Sequence, residues 1–523
     1  MRLLQAQAPS PSTIQPGAPG AAACCSAPFT FRIPAIAAAV TLAVHLAANP
    51  HYGFYQDELY FIVCGFHPAW GYVDQPPLVP LLSAASQLFG TSLFALRALA
   101  ACFAAGGVYV ACLCAAQLGG GRFALWLTAA LTACTPVLAA FGTKVSTDMP
   151  GLLLWPLAAL LIARALAGNS RAWLGAGIAL GIAAEAKYTV LLYGTALAVG
   201  VALGPARRAL ATRWALYGAL AAALIALPSL GWQAAHGFPI VQMVANQQRD
   251  TLADRGLLQA LAQQIVVTNP FLAPFWIAGL AFALRRASLR WIAMASLLTI
   301  VVLAASHGRN YYAGNVYPLL LAAGAVACER ALRKLGKRLF SIVYVAAAAL
   351  PTIPFVLPIL PAPALAHVVA KARRAVPIRV SPERHRDAPL TDNFAGMLGW
   401  PQLAADVARV YRSLPPQQRA HAAIFAKNFA EASAIDVYGK RYGLPPAISG
   451  QNAYWTWGPR GYDGRVLIDV NGTCGPAFAR RRVAVARAHD RWAMLAERDA
   501  PISVCYGLRE PIARYWPSVK TYL

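Results

Sequence analysis

The segment YGFYQDELYF (52–61) sets Asp57 and Glu58 among Tyr52, Tyr55 and Tyr60, directly after the first long apolar block. A carboxylate so placed can take a proton from a hydroxyl or ligate a metal ion. A solvated loop carboxylate would show the same spacing. In GYVDQPPLVP (71–80), Pro76 and Pro77 fix φ and hold Asp74 and Gln75 in one orientation, toward a substrate or simply as a turn. In TKVSTDMPG (143–151), Asp148 opens an apolar block, where it suits either a reaction site or a helix cap. EAKYT (185–189) supplies Lys187, and HGRNYYAGNVYP (307–318) supplies Arg309, Tyr311 and Tyr312. Such cations can snorkel to a membrane interface. They can equally neutralise a phosphate leaving group, whose charge grows as its bond to sugar breaks.

These segments punctuate a strongly apolar chain. Of 523 residues, 58% are hydrophobic and only 12% charged, with a mean hydropathy of +0.50. A soluble protein carries about 25% charged residues. Within 31–360 the apolar residues run all the way round the predicted helices, with no amphipathic stripe, as membrane spans require. Block lengths predict about eleven spans, near 33–48, 95–117, 123–141, 151–166, 173–186, 189–204, 214–231, 265–284, 291–306, 316–328 and 339–360.

Charge alternates with the spans. One set of loops holds Arg122, Arg171, Arg207, Arg208, Arg213, Arg285, Arg286, Arg290, Arg330, Arg333, Lys334, Lys337 and Arg338. The positive-inside rule makes that set cytoplasmic. The other set holds Asp57, Glu58, Asp74, Asp148, Glu185, Asp250 and Asp254, and Glu329 alone of the acids in 31–360 falls inside. The net charge of +25 then reports topology and anionic lipid headgroups, and no motif indicates a nucleic-acid partner. Residues 1–30 read as a disordered cytoplasmic leader. The stretch 49–94 reads as a large outer loop with short interfacial helices, as at 78–89. Residues 361–523 read as a small α/β domain. Its expected strands are 422–428, 466–470 and 501–508, and its expected helix is 430–443. An odd span count places that domain outside.

QDELYF and YVDQPPL, followed by STDMPGLLLW, AAEAKYT and GRNYYAGNVYPLLLAAGA, resemble the bacterial members of glycosyltransferase family 39. These are GT-C fold enzymes related to protein O-mannosyltransferases and to the aminoarabinose transferase of lipid A. The likeness continues through NFAEASAIDVYGKRYGLPPAISGQNAYWTWGP to PISVCYGLREPIARYWPSVKTYL. It implies a polytopic α-helical membrane enzyme with a C-terminal α/β domain, in a bacterial inner membrane with that domain periplasmic. It implies a polyprenyl-phosphate-sugar donor and a lipid, polysaccharide or protein acceptor. Asp57 falls at the family's catalytic carboxylate, Glu58 beside it, and Asp148 at the second-loop acid. Asp74, Gln75, Lys187, Arg309, Tyr311 and Tyr312 are expected at the substrate. The lipid A relative carries Glu-Lys where this chain has Asp74-Gln75, so a phosphate-contacting cation is missing there. Cofactors are left open; a divalent metal, if one binds, would use Asp57 and Glu58. An oxidising outer compartment allows a Cys474–Cys505 disulfide, against the alternative of two free thiols. A lipid-linked sugar transporter or flippase is the alternative function, and a non-catalytic binding scaffold is a further one.

Overall fold

The computed structural model describes residues 31–251, 256–375, 388–472 and 474–523, so the leader at 1–30 lies outside the described residues. The membrane half begins with α1 (Arg32–Ala48) and enters the outer loop, which holds α2 (Gln56–Phe66) and α3 (Leu78–Ala85). It continues through α4 (Leu93–Gln117), α5 (Arg122–Cys134), α6 (Pro136–Thr143), α7 (Gly151–Leu166), α8 (Ala172–Ala184) and α9 (Thr189–Ala202). Then follow α10 (Arg213–Ala235), α11 (Pro239–Thr251), α12 (Leu257–Val267), α13 (Ala273–Leu284), α14 (Arg290–Ala305), α15 (Tyr317–Ala331) and α16 (Leu335–Ala349).

The apolar blocks are mostly helical. Among the described residues, four helices are by length and composition alone long and apolar enough to cross a membrane: Leu93–Gln117, Arg213–Ala235, Ala287–Ala305 and Leu335–Val356. The pair α5 and α6, bent by 64°, makes a fifth if it is one span. Pro136 accounts for the break, since it lacks the N–H that would continue the ladder. Six further apolar helices have 10–17 residues. Small residues let the helices close up. A side chain on Gly177 would strike the backbone of Gly218 between α8 and α10, and one on Gly279 would strike Leu320 between α13 and α15. Such close backbone approach supplies packing where the solvent is itself apolar.

Beyond the bundle lies a five-stranded sheet in the order β2-β1-β3-β5-β4. Its strands are β1 (Ala422–Ala426), β2 (Ala447–Ile448), β3 (Val466–Val470), β4 (Ala479–His489) and β5 (Asp499–Leu508). β1 runs parallel to β2 and β3, while β5 is antiparallel to β3 and β4. Cys474 and Cys505 are disulfide-bonded, with Cα atoms 6.7 Å apart. The outer loop and this domain share one core. Phe54, Leu59, Tyr60 and Val79 pack in the same buried cluster as Trp400, Ile424, Ile435 and Ile468. The boundary expected at 361 thus divides the chain but not the core.

Candidate functional site

The site is built around the first turn of α2. Glu58 and Asp57 are neighbours in sequence, but successive helical residues point about 100° apart. Glu58 turns inward and its side chain is fully buried against Arg97 of α4, at 2.9 Å. Its Oε2 accepts from the Tyr55 amide at 2.8 Å and its Oε1 from the Val145 amide at 2.9 Å. Arg97 also donates to the carbonyls of Asn49 at 2.6 Å, His51 at 3.2 Å and Gly53 at 2.7 Å. One ion pair therefore locks the end of α1, the start of α2 and the loop before α7. Both oxygens of Glu58, a residue named from sequence as a catalytic group or metal ligand, are engaged here in holding the frame. Among the described residues, no group of three or more His, Cys, Asp and Glu side chains gathers as for a metal ion.

Asp57 is half-buried and faces charge of the opposite sign. Burial raises its pKa above the ordinary carboxylate value; Lys144 and Arg309 pull it back down, and Glu58 adds a smaller push upward. Lys144 reaches across from the loop before α7. Its Nζ lies 3.3 Å from the centre of the Tyr55 ring and donates to Asn393 Oδ1 at 2.8 Å. The Gln56 amide, at the start of α2, donates to the Gly396 carbonyl at 3.0 Å. The outer domain thus contributes both Asn393 and Gly396 to the positioning of Asp57.

On the other flank, Lys187 pairs with Asp148 at 2.7 Å, with their side chains 20% and 6% exposed. Asp148 is fixed in turn because Asn315 donates to its carbonyl at 3.0 Å. Lys187 Nζ sits 3.9 Å from the centre of the Tyr312 ring and 5.7 Å from that of Tyr311. Burial pushes the Tyr311 hydroxyl pKa upward, while Arg309 opposes that shift. A small, solvent-open pocket adjoins Arg309, lined also by Gln263, Gln264, His307 and Asn310. The structure therefore brings Asp57, Asp148, Lys187, Arg309, Tyr311 and Tyr312 near one another, together with Lys144.

Asp74 and Gln75 lie where the loop holding α2 and α3 meets the α/β domain, with Asp74 within the field of Asp57. Asp74 accepts from the Tyr60 hydroxyl at 2.9 Å and from Asn452 Nδ2 at 3.4 Å, which ties the outer loop to the α/β domain. Its pKa rises to about 7, mainly through burial. Gln75 is 2% exposed, and its side-chain amide has no hydrogen-bond partner among the described residues. The prolines do fix both residues, but inside the junction. Arg97 was the residue that sequence reasoning missed most clearly. A lone cation inside the apolar run LFALRALAACF was the available signal, because a charge at that depth needs a partner.

A family model described as dolichyl-phosphate-mannose-protein mannosyltransferase matches residues 74–232. No curated protein sequence matches the chain. ArnT from Cupriavidus metallidurans, solved bound to undecaprenyl phosphate, superposes with a TM-score of 0.60 at 17% identity, covering 90% of this chain and 97% of that one. Its apo form gives 0.62, with the same identity and coverage. The arabinofuranosyltransferase AftD from Mycobacteria gives 0.51 at 15% identity, covering 92% of this chain but 40% of its own. Helical bundle, outer-loop helices and C-terminal sheet together follow these structures across 90% of the chain, which has the GT-C fold.

Proposed function

We propose that this chain is a glycosyltransferase. It moves a sugar from a polyprenyl-phosphate-linked donor to a lipid, polysaccharide or protein acceptor at the outer face of a bacterial inner membrane. The supporting observation is the constellation at one end of the bundle: a half-buried carboxylate, Asp57, within the fields of Lys144 and Arg309 and flanked by the Asp148–Lys187 pair. The fold shared with a protein solved on undecaprenyl phosphate supports the lipid donor.

The acceptor hydroxyl attacks the anomeric carbon as the bond from that carbon to the phosphate oxygen breaks. Asp57 takes the hydroxyl proton, and its raised pKa brings it closer to the pH at which a general base works best. The electron pair leaves on the phosphate, where fixed cations stabilise it without reorganising. Arg309 carries that role, with Lys187 beside it. Asp148 balances Lys187 and aims it over Tyr312.

Asp57→Asn keeps the size of the side chain and removes the base. Transfer from a labelled polyprenyl-phosphate sugar, measured in membranes at equal expression, should fall by about 10²–10⁴. Full transfer by the variant would overturn the reading.

A further inference from the structure

The opposite end of the bundle holds a feature that sugar transfer does not use. Close backbone packing of α13 against α15 at Gly279 brings the ends of these helices together. Phe282, buried near the end of α13, presents one ring to two guanidinium groups. Arg286 Cζ lies 3.6 Å from its centre and Arg330 Cζ 5.2 Å from it. Burial and the neighbouring Arg330 both push the Arg286 guanidinium below its ordinary value. Among the described residues, neither arginine has an ion-pair partner. The nearest acid in sequence, Glu329, is turned away. Its oxygens accept from the amides of Gly121 at 2.5 Å and Ala124 at 3.2 Å, capping α5.

Two like charges held on one aromatic ring, with the local carboxylate diverted, form an anion site in search of its anion. Leu284, two residues before Arg286, is 42% exposed, and Leu335, Leu339 and Phe340, which follow Arg330 in α16, are 71%, 56% and 68% exposed. A ligand matching both faces has a phosphate head and hydrocarbon tails. We propose that Arg286 and Arg330 bind the headgroup phosphate of an anionic phospholipid at this rim. Guanidinium forks suit phosphate oxygens, and basic pockets between cytoplasmic helix ends suit anionic headgroups. Placement in the inner leaflet rests on the orientation proposed above; the binding chemistry does not.

Purified full-length protein should be titrated with dioleoyl phosphatidylglycerol and followed by native mass spectrometry. Dioleoyl phosphatidylcholine and inorganic phosphate are the comparison ligands. The double variant Arg286→Gln, Arg330→Gln should lose the phosphatidylglycerol adduct by about tenfold in affinity. The double variant Arg333→Gln, Lys337→Gln removes equal charge nearby and should change it by less than about twofold. Equal losses in the two variants would overturn the proposal in favour of diffuse charge. Equal binding of phosphatidylcholine, or displacement of the lipid by an equal concentration of inorganic phosphate, would overturn it as well. If the double variant unfolds, Arg330→Gln alone should still weaken binding, and unchanged binding would overturn the site. No transfer assay enters, so failure here and failure of the transferase reading are separate results.

Discussion

At one end of the bundle Glu58 meets Arg97 and Asp148 meets Lys187, whereas at the other end Arg286 and Arg330 share the Phe282 ring and Glu329 is spent on backbone amides. Paired charges at the first end fix geometry. Each ion pair crosses between segments distant in sequence and so ties the loop around Asp57 to its neighbours. Arg286 and Arg330 at the other end have no ion-pair partner among the described residues, and on the proposal above they remain available to lipid. The same residue types therefore do different work at the two ends, and the difference lies in which partner the fold delivers.

Breaking the deepest pair should have the largest effect. Arg97→Ala leaves Glu58 buried without its counter-charge and frees three loop carbonyls, at a cost of about 3–5 kcal/mol. The check is the thermal midpoint of the purified protein, together with its yield from membranes. The shallower pair should show in rate more than in stability. Lys187→Met should lower transfer by about 10²–10³ if the lysine meets leaving-group charge, with the thermal midpoint little changed.

Asp74 sharpens the comparison through pH. Its pKa in the folded chain rises from 3.8 to about 7, so the folded state holds a proton that the unfolded chain has already lost. Stability should therefore fall as pH climbs from about 4 through about 7 and stay low above it. Asp74→Asn should flatten that decline and raise the midpoint at pH 8 relative to the parent, with little change at pH 5. A parallel decline in both proteins would show that Asp74 does not set the slope. Smallest of all, Lys337→Gln at the exposed opposite rim should shift the midpoint by an amount equivalent to less than about 0.5 kcal/mol.

Much of this was legible in the sequence. The apolar blocks gave the helices because hydrophobicity all round a segment has no other solution in a membrane. β1, β3 and β5 were legible because each is a short apolar run between turns. β4 was not. Its exposed Arg480, Arg481 and Arg482 hide the alternation, as befits a charged strand at the edge of a sheet. β2 is only two residues long and carries no pattern of its own. At the site, Asp57, Asp148, Lys187 and Arg309 could be named from their motifs. Lys144 stood in the same motif as Asp148 but had no visible partner, since Asn393 lies far along the chain.

Composition and the order of charged loops by themselves determined a helical membrane protein with its mixed charges gathered on one side. Those are local properties, because each span and loop carries its own signal. Only the tertiary structure decided which carboxylate is free to act. Asp57 and Glu58 are adjacent and chemically alike. The rotation of about 100° between neighbouring helical residues sends Glu58 to Arg97 in the core and leaves Asp57 to the fields of Lys144 and Arg309. Long-range packing sets those partners, and no spacing within QDELYF records them.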